Sequence, residues 1–255
     1  TVPTYRKNDL EDSFDHGRRW IQQWVEENKQ WKKVIQSYAA AISFSDAMIG
    51  RLIDKIKNSS YADNTIIVLW SDHGMHMGEK ENIEKFTLWE RSTRVPLIIS
   101  FPKAIEAGLK CDQPVSLMDI YPTLVELTGF EKPKHLDGKS LVPQIKDPNT
   151  LTSPVISSYQ FSWTEKPYAA HAVRSMNYRY IYYPDIGLEE LYDHQIDSNE
   201  WYNVAYKPEN KKIIVSHRKV LLEMLPELTW NDQIPEGYII CLLYTSPSPR
   251  DATLS

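Results

Sequence analysis

The sequence predicts an α/β protein in which a mostly parallel sheet is followed by a smaller region with an antiparallel sheet and a packed helix. Three observations carry this. Thr65 to Trp70 is a continuous apolar, β-branched run, the mark of a strand buried on both faces in a parallel sheet. A second apolar run, Val95 to Phe101, follows, with Pro96 near its start. Beyond residue 150 come short strand candidates and then a helical pattern.

Taken in order, Thr1 to Asp15 is polar and reads as loop, and Arg18 to Glu27 as a short helix rich in Trp and Gln. From Lys32 to Lys57 the apolar positions Val34, Tyr38, Ala41, Phe44, Met48, Leu52 and Ile56 recur at helical spacing, and Asn58, Ser59 and Ser60 end the run. Tyr38 and Phe44 are expected in the core. After the two apolar runs, Lys103 to Gln113 is a loop holding Cys111, expected to be a small buried hydrophobe. Met118 to Leu127 is a helix, with Asp119 near its start, Pro122 in its first turn and Gly129 past its end. Glu131 to Asn149, with Pro133, Gly138, Pro143 and Pro148, is mostly irregular.

Strands are expected at Pro154–Tyr159, Ala169–Ser175, Tyr178–Tyr183 and Glu190–Asp193, with Asn177 at the turn between the middle two. A helix over Lys211–Leu225 lies on them. Tyr178, Tyr180, Tyr182, Tyr183 and Tyr192 could form a sugar platform; strand alternation favours the core for several of them.

The first apolar run ends abruptly in Ser71, Asp72, His73 and Gly74. Polar groups just past the carboxyl end of such a strand sit where open α/β sheets bind ligands. A carboxylate oxygen and an imidazole nitrogen on adjacent residues can turn toward one cation. The alternative for a bare Asp-His pair is a strand-end turn, with Asp72 capping backbone amides. Context favours the ion site: Lys85 follows across a Gly-bounded loop, and Arg94 precedes the second apolar run. A lysine beside a metal and an anion acts as a point-charge clamp.

With 29 Lys and Arg against 34 Asp and Glu, the net charge of −5 argues against nucleic acid as the main partner. No run of about 18 apolar residues is present, so no membrane span is expected. Two cysteines, Cys111 and Cys241, do not suggest a disulfide framework, and nothing in the sequence sets an oligomeric state. Thr1 is not a natural start, so the chain reads as a fragment and its lack of a signal peptide carries no information.

SDHGMHMGEK, followed by EKFTLWERSTRVPLIIS, resembles the formylglycine-dependent sulfatases of the alkaline-phosphatase-like superfamily, nearest the iduronate-2-sulfatase branch. The resemblance continues through PVSLMDIYPTLVELTGF, LDGKSLVP, HAVRSMNYRYIYY and EELYDHQIDSNEWYNVA, in that order. It implies that residues 1–150 are the carboxyl-terminal part of a catalytic α/β sandwich and 151–240 a small α+β subdomain. It implies that Asp72 and His73 ligate a divalent cation, Ca2+ by family habit, and that Lys85 contacts the sulfate. His76, Arg94, His171 and Arg174 are further candidates for substrate contact. The substrate would be a small-molecule or oligosaccharide sulfate ester, such as a sulfated uronate. The formylglycine and the remaining ligands would lie upstream of Thr1, in a periplasmic or secreted enzyme. Two departures bear on sugar specificity: Met75 stands where close relatives carry Trp, and Asn82-Ile83 replaces a common His-Trp.

Residues 241–255, CLLYTSPSPRDATLS, fall outside the family pattern and resemble a translated sequencing adapter. The nucleophile motif, Cys or Ser-x-Pro-x-Arg, is absent: Ser248 stands where Pro is needed before Arg250, and Pro114 lies one position too far from Cys111. Two rivals remain open from sequence. One is a phosphatase or phosphodiesterase of the same superfamily; the other is a pseudoenzyme that binds sulfated glycans.

Overall fold

A computed structural model describes residues 6–14, 19–161 and 168–230. The proposed tail at 241–255 lies outside the described residues. Helix α1, Trp20–Glu27, packs against the long α2, Trp31–Lys57, and both match the helical patterns read from sequence. Strand β1, Ile67–Trp70, leads into the long loop that carries Asp72, His73 and Lys85. A single helical turn, α3, Glu90–Thr93, closes that loop before β2, Leu97–Ser100.

The parallel arrangement expected for the two apolar runs is not how they meet. β1 and β2 pair antiparallel, with Ile67 opposite Ser100 and Trp70 opposite Leu97. A parallel pair needs a crossover of a dozen or more residues, usually a helix; here the connection doubles back and its helical parts are a 3-10 turn, Glu79–Glu81, and the single turn of α3. Nor are the strands buried on both faces: Trp70 and Ile98 are about half exposed at 50% and 55%. A two-stranded ribbon cannot cover its own faces. The expected core roles of Tyr38 and Phe44 fail similarly among the described residues, since α2 contains no buried residue and both rings are exposed. Cys111 is exposed too, its thiol donating to the Pro148 carbonyl rather than packing.

Helix α4, Ile120–Thr128, begins as its sequence signals require. Ser116 and Asp119 form a reciprocal capping box, and Gly129 ends the helix in the left-handed conformation at φ 74°. The stretch read as irregular contains one short helix, α5, Val142–Lys146, with Pro143 in its first turn.

Four strands then form an antiparallel meander in sequence order: β3, Val155–Phe161; β4, Tyr168–Arg174; β5, Tyr178–Tyr183; and β6, Leu188–Asp193. The two faces of this sheet have different partners. Val173, Tyr180, Tyr182 and Leu191 face α6, Lys211–Met224, and pack on Ile214 and Leu221. Ala170, Ala172, Ile181, Tyr183 and Tyr192 face the other way, onto Leu10, Leu88 and Trp89. The second face thus seats the end of the loop between β1 and β2. Tyr180, Tyr182, Tyr183 and Tyr192 are buried, so the tyrosines build the core and not a sugar platform.

Candidate active site

The loop between β1 and β2 is shaped by buried polar contacts. His76 is wholly buried; its Nδ1–H donates to the Glu79 carbonyl, and its Nε2 meets the Thr87 hydroxyl at 2.8 Å. Lys80 is buried with a left-handed backbone. Its ammonium lies 3.1 Å from Ser13 Oγ and 3.5 Å from Asp9 Oδ1, and above the rings of Trp89 and Tyr192. Burial pushes the Asp9 carboxyl up to about 6, against the pull of Lys80. These contacts pin residues 9–13 to the loop.

The solvent side of the loop is different. Asp72 and His73 leave the end of β1 together, with the Asp72 side chain 83% exposed. Asp72 Oδ2 lies 3.5 Å from His73 Nε2. Lys85 Nζ approaches the same Nε2 to 2.8 Å, so a carboxylate, an imidazole and an ammonium converge on one point. The other imidazole nitrogen is fixed: His73 Nδ1 is 2.8 Å from the Gly74 carbonyl oxygen. That oxygen only accepts, so Nδ1 carries the proton and Nε2 presents a lone pair. This is the tautomer a metal-ligating histidine needs. Two ligand atoms 3.5 Å apart also suit one ion at bond lengths of roughly 2.3–2.6 Å, whose adjacent octahedral ligands stand about 3.3–3.7 Å apart. The donor set therefore fits a divalent cation.

The four residues suggested as substrate contacts do not join this group. His76 is enclosed and its ring nitrogens face loop partners. Arg94 is exposed and lies 3.9 Å from Glu90, one turn back along the chain. His171 pairs across the sheet with Ser158 and Tyr182, on the α6 face, and bonds Ser158 Oγ at 2.8 Å. The alternation of β4 turns it away from the loop. Arg174 is on the loop side, but its guanidinium is held by Glu90 at 3.3 Å and by the backbone carbonyls of Ser175 and Met176. It is a structural cation.

Sequence reasoning missed the network Arg174 belongs to. Arg179 is buried beneath α3 and ion-pairs with both Glu90 and Glu200, the latter at 2.7 Å. His194 Nε2 lies 2.8 Å from Glu200. The signal was present: Arg179 sits in a Tyr-Arg-Tyr-Ile-Tyr-Tyr strand that is buried from Arg179 to Tyr183. Burial alone would raise the Glu200 carboxyl, but Arg179, His194 and the Glu90 amide together hold it at about 2. Glu90 is held below its ordinary value as well, with Arg179 and Arg174 outweighing burial. Glu90, His194 and Glu200 each place one ligand atom within 4.8 Å of the others. Their charges are already met within the protein: Arg179 pairs with both carboxylates, and Arg174 with Glu90 and His194 Nδ1.

Removing Arg179 takes the shared cation from two buried carboxylates and leaves Glu90 with Arg174 and Glu200 with His194 alone. Arg179→Met is expected to cost about 3–5 kcal/mol of stability, measured by denaturant unfolding of the complete polypeptide. The pH dependence has a definite sign. A carboxyl lowered from 4.5 to about 2 contributes stability that is present above pH 4.5 and is lost as pH falls toward 2. That acid-side loss, on the order of 3 kcal/mol for this one group, is expected to shrink in Arg179→Met. An unchanged acid limb would contradict the pairing.

Comparison with known proteins follows the same lines. Residues 4–130 match the family described as Sulfatase, and residues 78–227 match the N-sulphoglucosamine sulphohydrolase, C-terminal family. A sulfatase of Formosa agariphila is 39% identical over 90% of this chain and 45% of its own length. A Delta 4,5-hexuronate-2-O-sulfatase of Bacteroides thetaiotaomicron is 28% identical over 78% of this chain and 42% of its own. A solved structure of a protein in complex with its substrate D-glucosamine-2-N,6-O-disulfate superposes with a TM-score of 0.67. It is 28% identical, over 79% of this chain and 44% of that one. The chain belongs to the sulfatases, the sulfuric ester hydrolases of alkaline-phosphatase-like α/β fold. It spans a little under half the length of these relatives.

Proposed function

We propose that this chain is the carboxyl-terminal share of a sulfatase that hydrolyses a sulfate ester on a sugar, with the division between catalytic part and small subdomain near residue 150. The observation that carries the reading is the convergence of Asp72, His73 and Lys85 at the end of β1. Asp72, through a carboxylate oxygen, and His73, through Nε2, would hold the cation. Hard oxygen ligands supplied by the rest of the protein, added to these two, would favour calcium over zinc. When bound, the cation supplies positive charge for the sulfate oxygens.

The residues of this chain do the rest of what can be assigned to it. Gly74 holds the proton on His73 Nδ1 and leaves Nε2 unprotonated, its lone pair turned toward Lys85. The Lys85 ammonium, at the same nitrogen, binds the sulfate and neutralises charge as the ester bond breaks. The nucleophile comes from elsewhere, since the chain holds no Cys or Ser-x-Pro-x-Arg motif; by family resemblance it is a formylglycine. The sugar follows from the likeness to relatives that act on sulfated uronate and glucosamine.

The reading makes the isolated chain inactive. Residues 1–240 alone, given calcium and a chromogenic aryl sulfate or a sulfated uronate disaccharide, are expected to show no turnover. Removing a covalent nucleophile costs several orders of magnitude in rate. Turnover that disappears in the Asp72→Ala form of the same piece would show the chain to be self-sufficient and the reading wrong. The complete polypeptide is expected to release sulfate from at least one sulfated sugar.

A further inference from the structure

We propose that Glu200, remote from the cation pair in sequence and buried at the far side of α3, is a positioning residue for His73. The inference rests on the reading of Asp72 and His73 as cation ligands. It starts from an unbroken series of contacts between the two sites.

Glu200 Oε2 accepts the backbone N–H of Glu90 at 2.7 Å. This is the first residue of α3, whose amide has no partner within the helix. The next contact is at the other end of that single turn, where the Ser92 carbonyl accepts the Gly74 N–H at 2.8 Å. The third is the Gly74 carbonyl, which accepts from His73 Nδ1 at 2.8 Å. The last places Nε2 at 2.8 Å from Lys85 Nζ. A shift of α3 therefore moves the peptide that fixes the His73 tautomer.

Two further features show that the joints are tight. A Cβ at Gly74 would stand 1.9 Å from the Arg91 carbonyl oxygen, so the loop meets α3 by direct backbone approach that any other residue would force apart. Glu200 itself adopts φ 59°, a conformation that non-glycine residues keep only where surrounding contacts over-determine it. Its other oxygen is held by Arg179 at 2.7 Å and His194 at 2.8 Å, which leaves the carboxylate one orientation. Trp89, just before α3, is locked as well, its indole N–H donating to Glu190 at 2.7 Å. The turn is thus clamped to the antiparallel sheet, and the cation pair is referenced to that sheet through it.

The test uses the complete polypeptide, 15N-labelled at histidine, with the His73 signals assigned by their loss in His73→Gln. In the wild type without added metal, the His73 ring is expected in the single Nδ1–H form. Glu200→Gln is expected to give a mixture of tautomers at His73 while His171 and His217, on the α6 face, keep their shifts. Calorimetric titration with calcium then reads the consequence: about a tenfold weaker affinity in Glu200→Gln, the usual scale for a group that orients a ligand. If Glu200→Gln does not fold, Glu200→Asp takes its place, since it keeps the charge for Arg179 but falls one methylene short of the Glu90 amide. A folded variant with the wild-type tautomer and affinity would overturn the proposal. Wild type that fixes the tautomer yet binds no calcium would overturn the cation reading and leave the positioning relation standing.

Discussion

Asp72→Ala is expected to abolish metal-dependent turnover in the complete polypeptide and to leave its fold intact. The two halves of this expectation have separate causes. In the proposed site Asp72 would supply one of the two ligand atoms that converge at the end of β1, 3.5 Å from His73 Nε2. A cation that stabilises charge on a sulfate is worth several kcal/mol, so its loss or displacement lowers the rate by about three orders of magnitude or more. The fold is spared because the side chain is 83% exposed and its one backbone contact, accepting the His73 N–H at 3.1 Å, is exposed to solvent that can replace it. Substitutions at such positions usually change stability by less than about 0.5 kcal/mol. Sulfate release and a thermal melt on the same preparation check both halves. Full activity in the variant would remove Asp72 from the site.

Lys85→Ala has the next largest expected effect, a fall in kcat of about 10²–10³-fold, the scale for losing one preorganised donor to developing charge. Lys85→Arg restores only part of it. The ammonium is a point charge that reaches 2.8 Å from His73 Nε2 while lying over the Phe86 ring at 5.5 Å. A planar guanidinium presents its donors in a fork that does not reproduce that approach. Steady-state kinetics on both variants decide the matter. A Lys85→Ala enzyme with wild-type kcat and raised KM would make the residue a ground-state anchor only.

The candidate site was legible in the sequence where its chemistry is local. Asp72 and His73 adjoin each other at a strand end, and Lys85 is fixed by the loop that follows. The periodicity of the chain gave α2, α4, α6 and the four strands of the meander to within a few residues, because each has a one-dimensional pattern and a local turn signal. What escaped was set by contacts distant in sequence. The antiparallel pairing of β1 with β2 depends on how residues 71–96 return, which no hydrophobic run encodes. His76 looks like a second site histidine by spacing, yet it is turned inward by Glu79 and Thr87. His171 and Arg174 lie three residues apart on one strand and so on opposite faces, and only Arg174 reaches the loop. The ion pairs of Arg179 join residues about 20 and 90 positions away, beyond any local motif.

The most direct measurement is a crystal structure of the complete polypeptide grown with calcium and sulfate, with the cation located by anomalous scattering. One cation is expected within about 2.6 Å of Asp72 and of His73 Nε2, with a sulfate oxygen in hydrogen-bond reach of Lys85 Nζ. A cation bound elsewhere, with Asp72 in solvent and Lys85 still resting on His73, would contradict the assignment of this site.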